Sequence, residues 1–219
     1  MPKVTGEYLL DKKKYILECT TEILSEKPLY LVTMRDIIKK ANFSHGVIYR
    51  YYPNLDEIFV DLINSNTTSN LLEQRIDEIL ISKQPERIIL SNCIIATGEY
   101  MDELLKSVGG KIFYELVVYY SYDFEKRASV LPRLMFKQSF ENAKNKIVEY
   151  AMNNIDKGIF NPQIPAASII MFVSSFIDGI AQSVAINKAE KNEQTADLTI
   201  DIPEIFQILA KAVINFLDA

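Results

Sequence analysis

Residues 33–52 read TMRDIIKKANFSHGVIYRYY, two helical patterns on either side of a turn. Thr33 can cap a helix, and Asp36 can answer it from the third position, the reciprocal pattern of a capping box. Met34, Ile37, Ile38 and Ala41 then recur at helical spacing on one face. Asn42 stands where the chain must turn, and asparagine tolerates the left-handed backbone conformation better than most residues. Ser44 suits the start of a second short helix, His45 to Tyr52, which Pro53 stops. On that helix Ile48 and Tyr52 lie four apart and face inward, whereas His45, Gly46, Tyr49 and Arg50 face the other way. Two short helices across a tight turn form a helix-turn-helix, a scaffold for setting one helix in a major groove.

Outward from this run the periodicity stays helical. Ile16, Cys19, Thr20, Ile23 and Leu24 form one stripe of a first helix, from about residue 7 to 26. Asn54 caps a fourth helix, with Glu57 in the box position and Ile58, Phe59, Leu62 and Ile63 as its apolar stripe. That helix is expected to run on toward Ile81. A fifth starts near Pro85 and ends near Gly109-Gly110, and a sixth spans about Lys111 to Tyr122. A seventh runs from about Pro132 to Lys157 with Gly158 as its cap, an eighth from Pro165 to about Glu190, and the last from Pro203. The polar stretch Lys191–Thr199 reads as the longest loop. The expected fold is therefore all-α, with about nine helices: a three-helix head at residues 1–58 and a helical body at residues 59–219.

Composition narrows the function. The net charge is −5, but residues 1–60 hold nine Lys or Arg against eight Asp or Glu. A head near neutrality on an acidic body suits a protein that meets phosphates with its head alone. Cys19 and Cys93 lack metal-ligand spacing and read as buried free thiols in a reducing cytoplasm, so no metal site and no cofactor is expected. The first residues contain no apolar core long enough for a signal peptide. Residues 164–186 are long enough to span a membrane and carry one charge, Asp178, yet Ser, Ala and Gly residues stud them; a helix at a protein interface explains them better. The chain has one histidine, no glycine-rich phosphate loop and no nucleophile elbow, so an enzyme is not expected.

The run from Thr33 to Ile58 resembles the tetracycline-repressor (TetR) family of bacterial regulators. Members show a Thr- or Ser-started helix, a turn, Ser-Lys-Gly, two variable positions, Tyr-x-Tyr-Phe-Pro and a Ser-Lys-Glu-Glu-like start to the fourth helix. This chain has Ser44-His45-Gly46, Val47-Ile48, Tyr49-Arg50-Tyr51-Tyr52-Pro53 and Asn54-Leu55-Asp56-Glu57. The resemblance implies that Thr33, His45, Tyr49, Arg50 and Tyr51 approach phosphates and that Ser44, Gly46, Val47 and Tyr49 lie near base edges. Arg35 on the preceding helix is a further candidate for the DNA backbone, or else pairs with a carboxylate. His45 and Leu55 stand where the family carries lysines, which removes two cationic contacts and implies a weaker dependence on salt.

The family also implies a body that binds a small molecule and a homodimer built from the last two helices. The sixth helix is apolar around most of its circumference, which fits either an ordinary core helix or a pocket wall. Phe113, Tyr114, Glu115, Tyr119 and Tyr120 on it, with Tyr100, Phe136 and Phe140, are the candidate ligand residues, and aromatics around Glu115 suit a lipophilic, even cationic, compound. Small residues at Ser175, Gly179 and Ser183, with Phe216, are candidates for a symmetric dimer interface. The expected function is a cytoplasmic repressor released from a palindromic double-stranded DNA operator by a small-molecule inducer. A ligand-independent architectural DNA-binding protein is the alternative.

Overall fold

In the computed structural model of the chain, residues 6–65, 70–120, 123–189 and 201–218 are described, and all regular structure among them is helical. Eleven α-helices follow in order: α1 Gly6–Glu26, α2 Met34–Ala41, α3 His45–Tyr51, α4 Leu55–Ser65, α5 Leu71–Leu80, α6 Glu86–Lys106, α7 Val108–Tyr119, α8 Phe124–Val130, α9 Met135–Asp156, α10 Ala166–Ala189 and α11 Ile202–Asp218. Short 3-10 turns occupy Leu29–Leu31 and Leu131–Arg133. The expected loop Lys191–Thr199 and Tyr122 lie outside the described residues.

The surplus over nine helices has local causes. The fourth helix was expected to reach Ile81 but stops at Ser65, and α5 begins afresh at Leu71. Asn64 and Ser65 end α4 and Asn70 precedes α5, and such side chains compete with the helix for backbone partners. The Ser65 hydroxyl already donates to the Leu62 carbonyl at 3.0 Å. The second addition is α8, where Asp123 caps a helix by accepting the Lys126 N–H at 2.9 Å. Gly109-Gly110 does not end the fifth helix, as expected, but lies in the first turn of α7. Ser107 caps that turn by accepting the Gly110 N–H at 2.9 Å.

The chain divides into two units, residues 1–67 with 107–134 and residues 68–106 with 135–219. In the first, α1–α4 share their compact unit with α7 and α8, which a cut near residue 58 assigns to the body. Its core is fully buried Ile16, Ile37, Ile48, Ile58 and Ile63, with Phe59. The helix α7 packs on α4 and buries Ile112, Tyr114 and Leu116. In the second unit α6 and α11 pack most intimately, and α5 bridges α6 and α9. Leu72, Ile76, Cys93, Phe160 and Phe206 form its centre. Gly98 permits the close approach of α6 to α11, because a Cβ there stands 2.3 Å from Cγ of Phe206. Gly158, at φ 69, closes α9 as its left-handed cap.

Candidate nucleic-acid interface and body cavity

Local hydrogen bonding fixes the helix-turn-helix before any packing does. Thr33 and Asp36 form the reciprocal box: the Asp36 N–H donates to Thr33 Oγ at 3.3 Å and the Thr33 N–H to Asp36 Oδ2 at 2.8 Å. Lys27 adds a contact of 2.6 Å to the same oxygen. The Lys27 ammonium and the Thr33 hydroxyl hold the Asp36 carboxyl down at about 2. Asn42 takes the left-handed conformation at φ 53, ψ 39, the one positive φ outside glycine among the described residues. It turns the chain so that Ser44 can begin α3. Ser44 is exposed and makes no side-chain cap bond, although its carbonyl accepts the first helical N–H groups, of Val47 and Ile48.

The two faces of α3 differ as its periodicity requires. Ile48 and Tyr52, the latter just past the helix end, are buried, whereas His45, Gly46, Val47, Tyr49 and Arg50 are exposed. The His45 and Tyr49 rings stack with centroids 6.3 Å apart. A Cβ at Gly46 meets nothing within 4 Å, so the backbone there is open to close approach from outside. Thr33 and Arg35 are exposed on the preceding helix, and Tyr51 is half-buried.

One set of residues escaped the sequence reading. The buried Tyr52 hydroxyl donates to Asp61 Oδ2 at 3.0 Å, and Lys13 reaches the same oxygen at 2.9 Å. The Lys13 ammonium also lies 4.8 Å from the centroid of the Tyr52 ring. Burial, then the Asp61 charge, push the Tyr52 phenol well above its ordinary value, so it stays a donor. This triad pins the end of the outward-facing helix to α1 and α4. Its only sequence signal is an acid, Asp61, inside the apolar run 58–63. Further along α4, Asp56 accepts from the Tyr120 hydroxyl and the Lys126 ammonium, and Arg133 grips Glu57 with both guanidinium nitrogens at 2.7 and 2.5 Å. Arg133 holds the Glu57 carboxyl below its ordinary value.

The expected ligand residues fall in both units. Phe113, Tyr114, Glu115, Tyr119 and Tyr120 belong to the first; Tyr100, Phe136 and Phe140 belong to the second. Glu115 accepts the Leu29 N–H at 2.9 Å, and Tyr114 and Tyr120 are buried. The side chain of Phe136 lies outside the described residues. The second unit holds a cavity of about 110 Å³, walled by residues such as Ile94, Phe140, Ile147, Ile170 and Phe206, with Thr97, Lys144 and Ser174 as its polar members. Of the eight expected residues, Phe140 lines it; Tyr100 is buried outside its wall.

The helix α10 meets the rest of its unit with few residues. Of its described side chains Ile169 is buried, while Met171 and Phe172 are 68% and 43% exposed. Ser175, Gly179 and Ser183 are exposed, and a Cβ at Gly179 meets nothing within 4 Å. Phe216 packs edge-on against Phe172 at 5.6 Å. By length and composition α10 is the one helix among the described residues that could cross a membrane. No group of three metal-ligating side chains occurs among them.

A capped helix, a left-handed turn and a second helix with a buried, pinned inner face and a polar outer face define a helix-turn-helix DNA-binding protein. Residues 16–62 match the family model described as bacterial regulatory proteins, tetR family. Over 190 residues the chain is 25% identical to the uncharacterized HTH-type transcriptional regulator YfiR of Bacillus subtilis (strain 168), covering 87% of this chain and 88% of that one. Among solved structures, the fold resembles the TetR family transcriptional regulator PfmR from Thermus thermophilus, with a TM-score of 0.57 at 14% identity, over 93% of this chain and 99% of that one. It also resembles the transcriptional regulator FadR of Bacillus subtilis in complex with stearoyl-CoA, with a TM-score of 0.56 at 14% identity, over 92% and 97%. The head of the chain, residues 16–62, is thus similar to the DNA-binding segment of the tetR family of bacterial regulators.

Proposed function

We propose that this chain is a cytoplasmic, ligand-responsive repressor that binds a palindromic operator as a homodimer. The observation that carries the reading is α3: an inner face locked through Tyr52 and Asp61, and an outer face of His45, Gly46, Val47, Tyr49 and Arg50 left to solvent. Tyr49 and Arg50 supply donors for phosphates and base edges, Gly46 admits the duplex closely, and Thr33, Arg35, Ser44 and Tyr51 flank them. The exposed apolar side chains of α10, with the open positions Ser175, Gly179 and Ser183, support a second copy as the partner for that helix. A two-fold pair of α3 helices then reads half-sites about one helical turn apart, roughly 34–36 Å.

The inducer belongs in the cavity of the second unit. Its aliphatic walls suit an alkyl chain, and Lys144, whose ammonium lies 3.3 Å from the Glu141 carboxylate, is the one cation in that wall for an acidic head group. The FadR structure with stearoyl-CoA makes long-chain acyl compounds the first class to test. The cavity also favours a ligand-responsive regulator over a purely architectural DNA-binding protein. The test is a gel-shift titration on a duplex selected from random sequence by the protein itself. Tyr49→Ala should weaken binding about tenfold or more while the far-ultraviolet circular dichroism is unchanged; unchanged affinity refutes the assignment of that face. Acyl compounds should raise the melting temperature and release the duplex; a ligand that stabilises the protein without releasing DNA refutes the repressor reading.

A further inference from the structure

The first unit contains a cleft of about 510 Å³ that the proposed function does not use. That volume lies within the range of drug-sized ligand sites. Three tyrosine rings stand in its wall with much of their surface in water: Tyr30 at 60%, Tyr49 at 47% and Tyr119 at 52% exposed. They come from the 3-10 turn before α2, from α3 and from the end of α7. The charged groups facing the cleft are Asp56, Asp123 and Lys126. Lys126 gives its charge to Asp56, which also accepts from Tyr120. Asp123, exposed, takes up one oxygen in capping α8 through the Lys126 N–H. Two carboxylates against one ammonium leave the cleft net negative.

A net-negative cleft beside a DNA-facing helix repels phosphate, so apart from Tyr49 its wall is not an extension of the duplex contact. Tyrosine faces near a carboxylate attract a large, weakly hydrated cation, because each ring presents its negative face to the charge. We propose that this cleft is a second small-molecule site, for a lipophilic organic cation, and that its occupant opposes DNA binding directly by engaging Tyr49. The proposal goes beyond the inducer site in the other unit: no shift of one unit against another is needed when the ligand and the duplex compete for the same ring. It relocates the cation preference that the sequence attached to Glu115, whose carboxylate accepts the Leu29 N–H. Asp123 takes its place as the acidic partner.

The tetraphenylphosphonium cation and the tetraphenylborate anion share size and shape and differ in charge, so they isolate the electrostatic part. Calorimetric titration of the intact protein should show saturable tetraphenylphosphonium binding. Tyr119→Ala and Asp123→Asn should each weaken it about fivefold, corresponding to loss of about 1 kcal/mol of cation–ring or charge attraction. Both variants should fold, since Tyr119 is half in solvent and asparagine caps a helix as well as aspartate. Tetraphenylborate should bind more weakly than the cation, and Asp123→Asn should strengthen its binding, because that change removes a repelling charge. Cation binding that survives both variants unchanged overturns the site, and anion binding that falls equally in both overturns the charge preference. With a selected duplex present, the cation should weaken DNA binding in the unmodified protein, and the same effect in Tyr119→Ala should need about fivefold more cation. Retained duplex affinity at saturating cation overturns the competition through Tyr49. None of the calorimetric arms uses DNA or an acyl ligand, so they succeed or fail independently of the proposed operator and inducer.

Discussion

Gly98→Ala tests the packing on which the cavity depends. In an isolated helix the change is favourable by about 1 kcal/mol, since alanine loses less backbone entropy than glycine. Here the new methyl carbon stands 2.3 Å from Cγ, 2.4 Å from Cβ and 2.8 Å from Cδ2 of Phe206. Rotating the phenyl ring moves Cδ2 but not Cβ, which is fixed to the α11 backbone. Ordinary contact begins at 3.4 Å, so α6 and α11 must separate locally by about 1 Å. A gap of that size forfeits a quarter to a half of each affected dispersion contact, and overpacking of this kind costs roughly 1–3 kcal/mol or more. Steric cost against propensity leaves a net destabilisation of about 2 kcal/mol. For a chain of this size that lowers the melting temperature by about 4–8 °C. Scanning calorimetry of the two proteins measures it. Phe206→Leu should not rescue the variant, because leucine keeps the offending Cβ. A melting temperature equal to or above that of the unmodified protein refutes the claim that α6 and α11 are in contact at Gly98. Because Ile94, Thr97 and Phe206 also wall the cavity, acyl ligands should bind Gly98→Ala more weakly.

Three further outcomes follow from the titratable and capping groups. The Asp36 carboxyl, held at about 2 against an ordinary 3.8, stabilises the fold fully above the ordinary value and loses that contribution as pH falls through about 2. Its side chain is 35% exposed, so solvent screening reduces the contribution to about 1 kcal/mol; the urea midpoints of the unmodified protein and Asp36→Asn should differ at pH 6 and converge toward pH 2. Burial pushes the Cys93 thiol up to about 12 and raises that of Cys19, so a disulfide dye at pH 8 should leave the native protein untouched and titrate two thiols in urea; two fast thiols in the native state refute the burial. Tyr52→Phe removes the hydroxyl from the Asp61 triad and should cost about 1 kcal/mol in stability. The variant should also weaken duplex binding, because the end of α3 loses a tether; full affinity shows that packing alone positions that helix.

The head's local chemistry and most helix limits of the body were legible, whereas the pairing of distant residues was not, and the reason lies in the range of the interactions. The box at Thr33 and Asp36, the left-handed Asn42, the cap at Gly158 and the inward pair Ile48 and Tyr52 are each set by residues within a few positions of one another. Short-range chemistry of that kind is written in the order of the letters. The Lys13, Tyr52 and Asp61 triad joins residues up to 48 positions apart, and nothing in the pattern around Lys13 distinguishes it from Lys12 or Lys14. Likewise α7 is apolar on most sides, and apolarity alone does not say which helix it covers. It packs on α4, while Glu115 accepts the backbone N–H of Leu29, 86 residues earlier, a pairing with no local signature. Tyrosines in the sixth helix looked like the wall of a ligand pocket because aromatic side chains serve both pockets and packing. What separates the two uses is the partner of each polar end. Tyr120, whose hydroxyl reaches Asp56, is committed to packing; Tyr119, 52% exposed, still presents its ring to whatever enters the cleft.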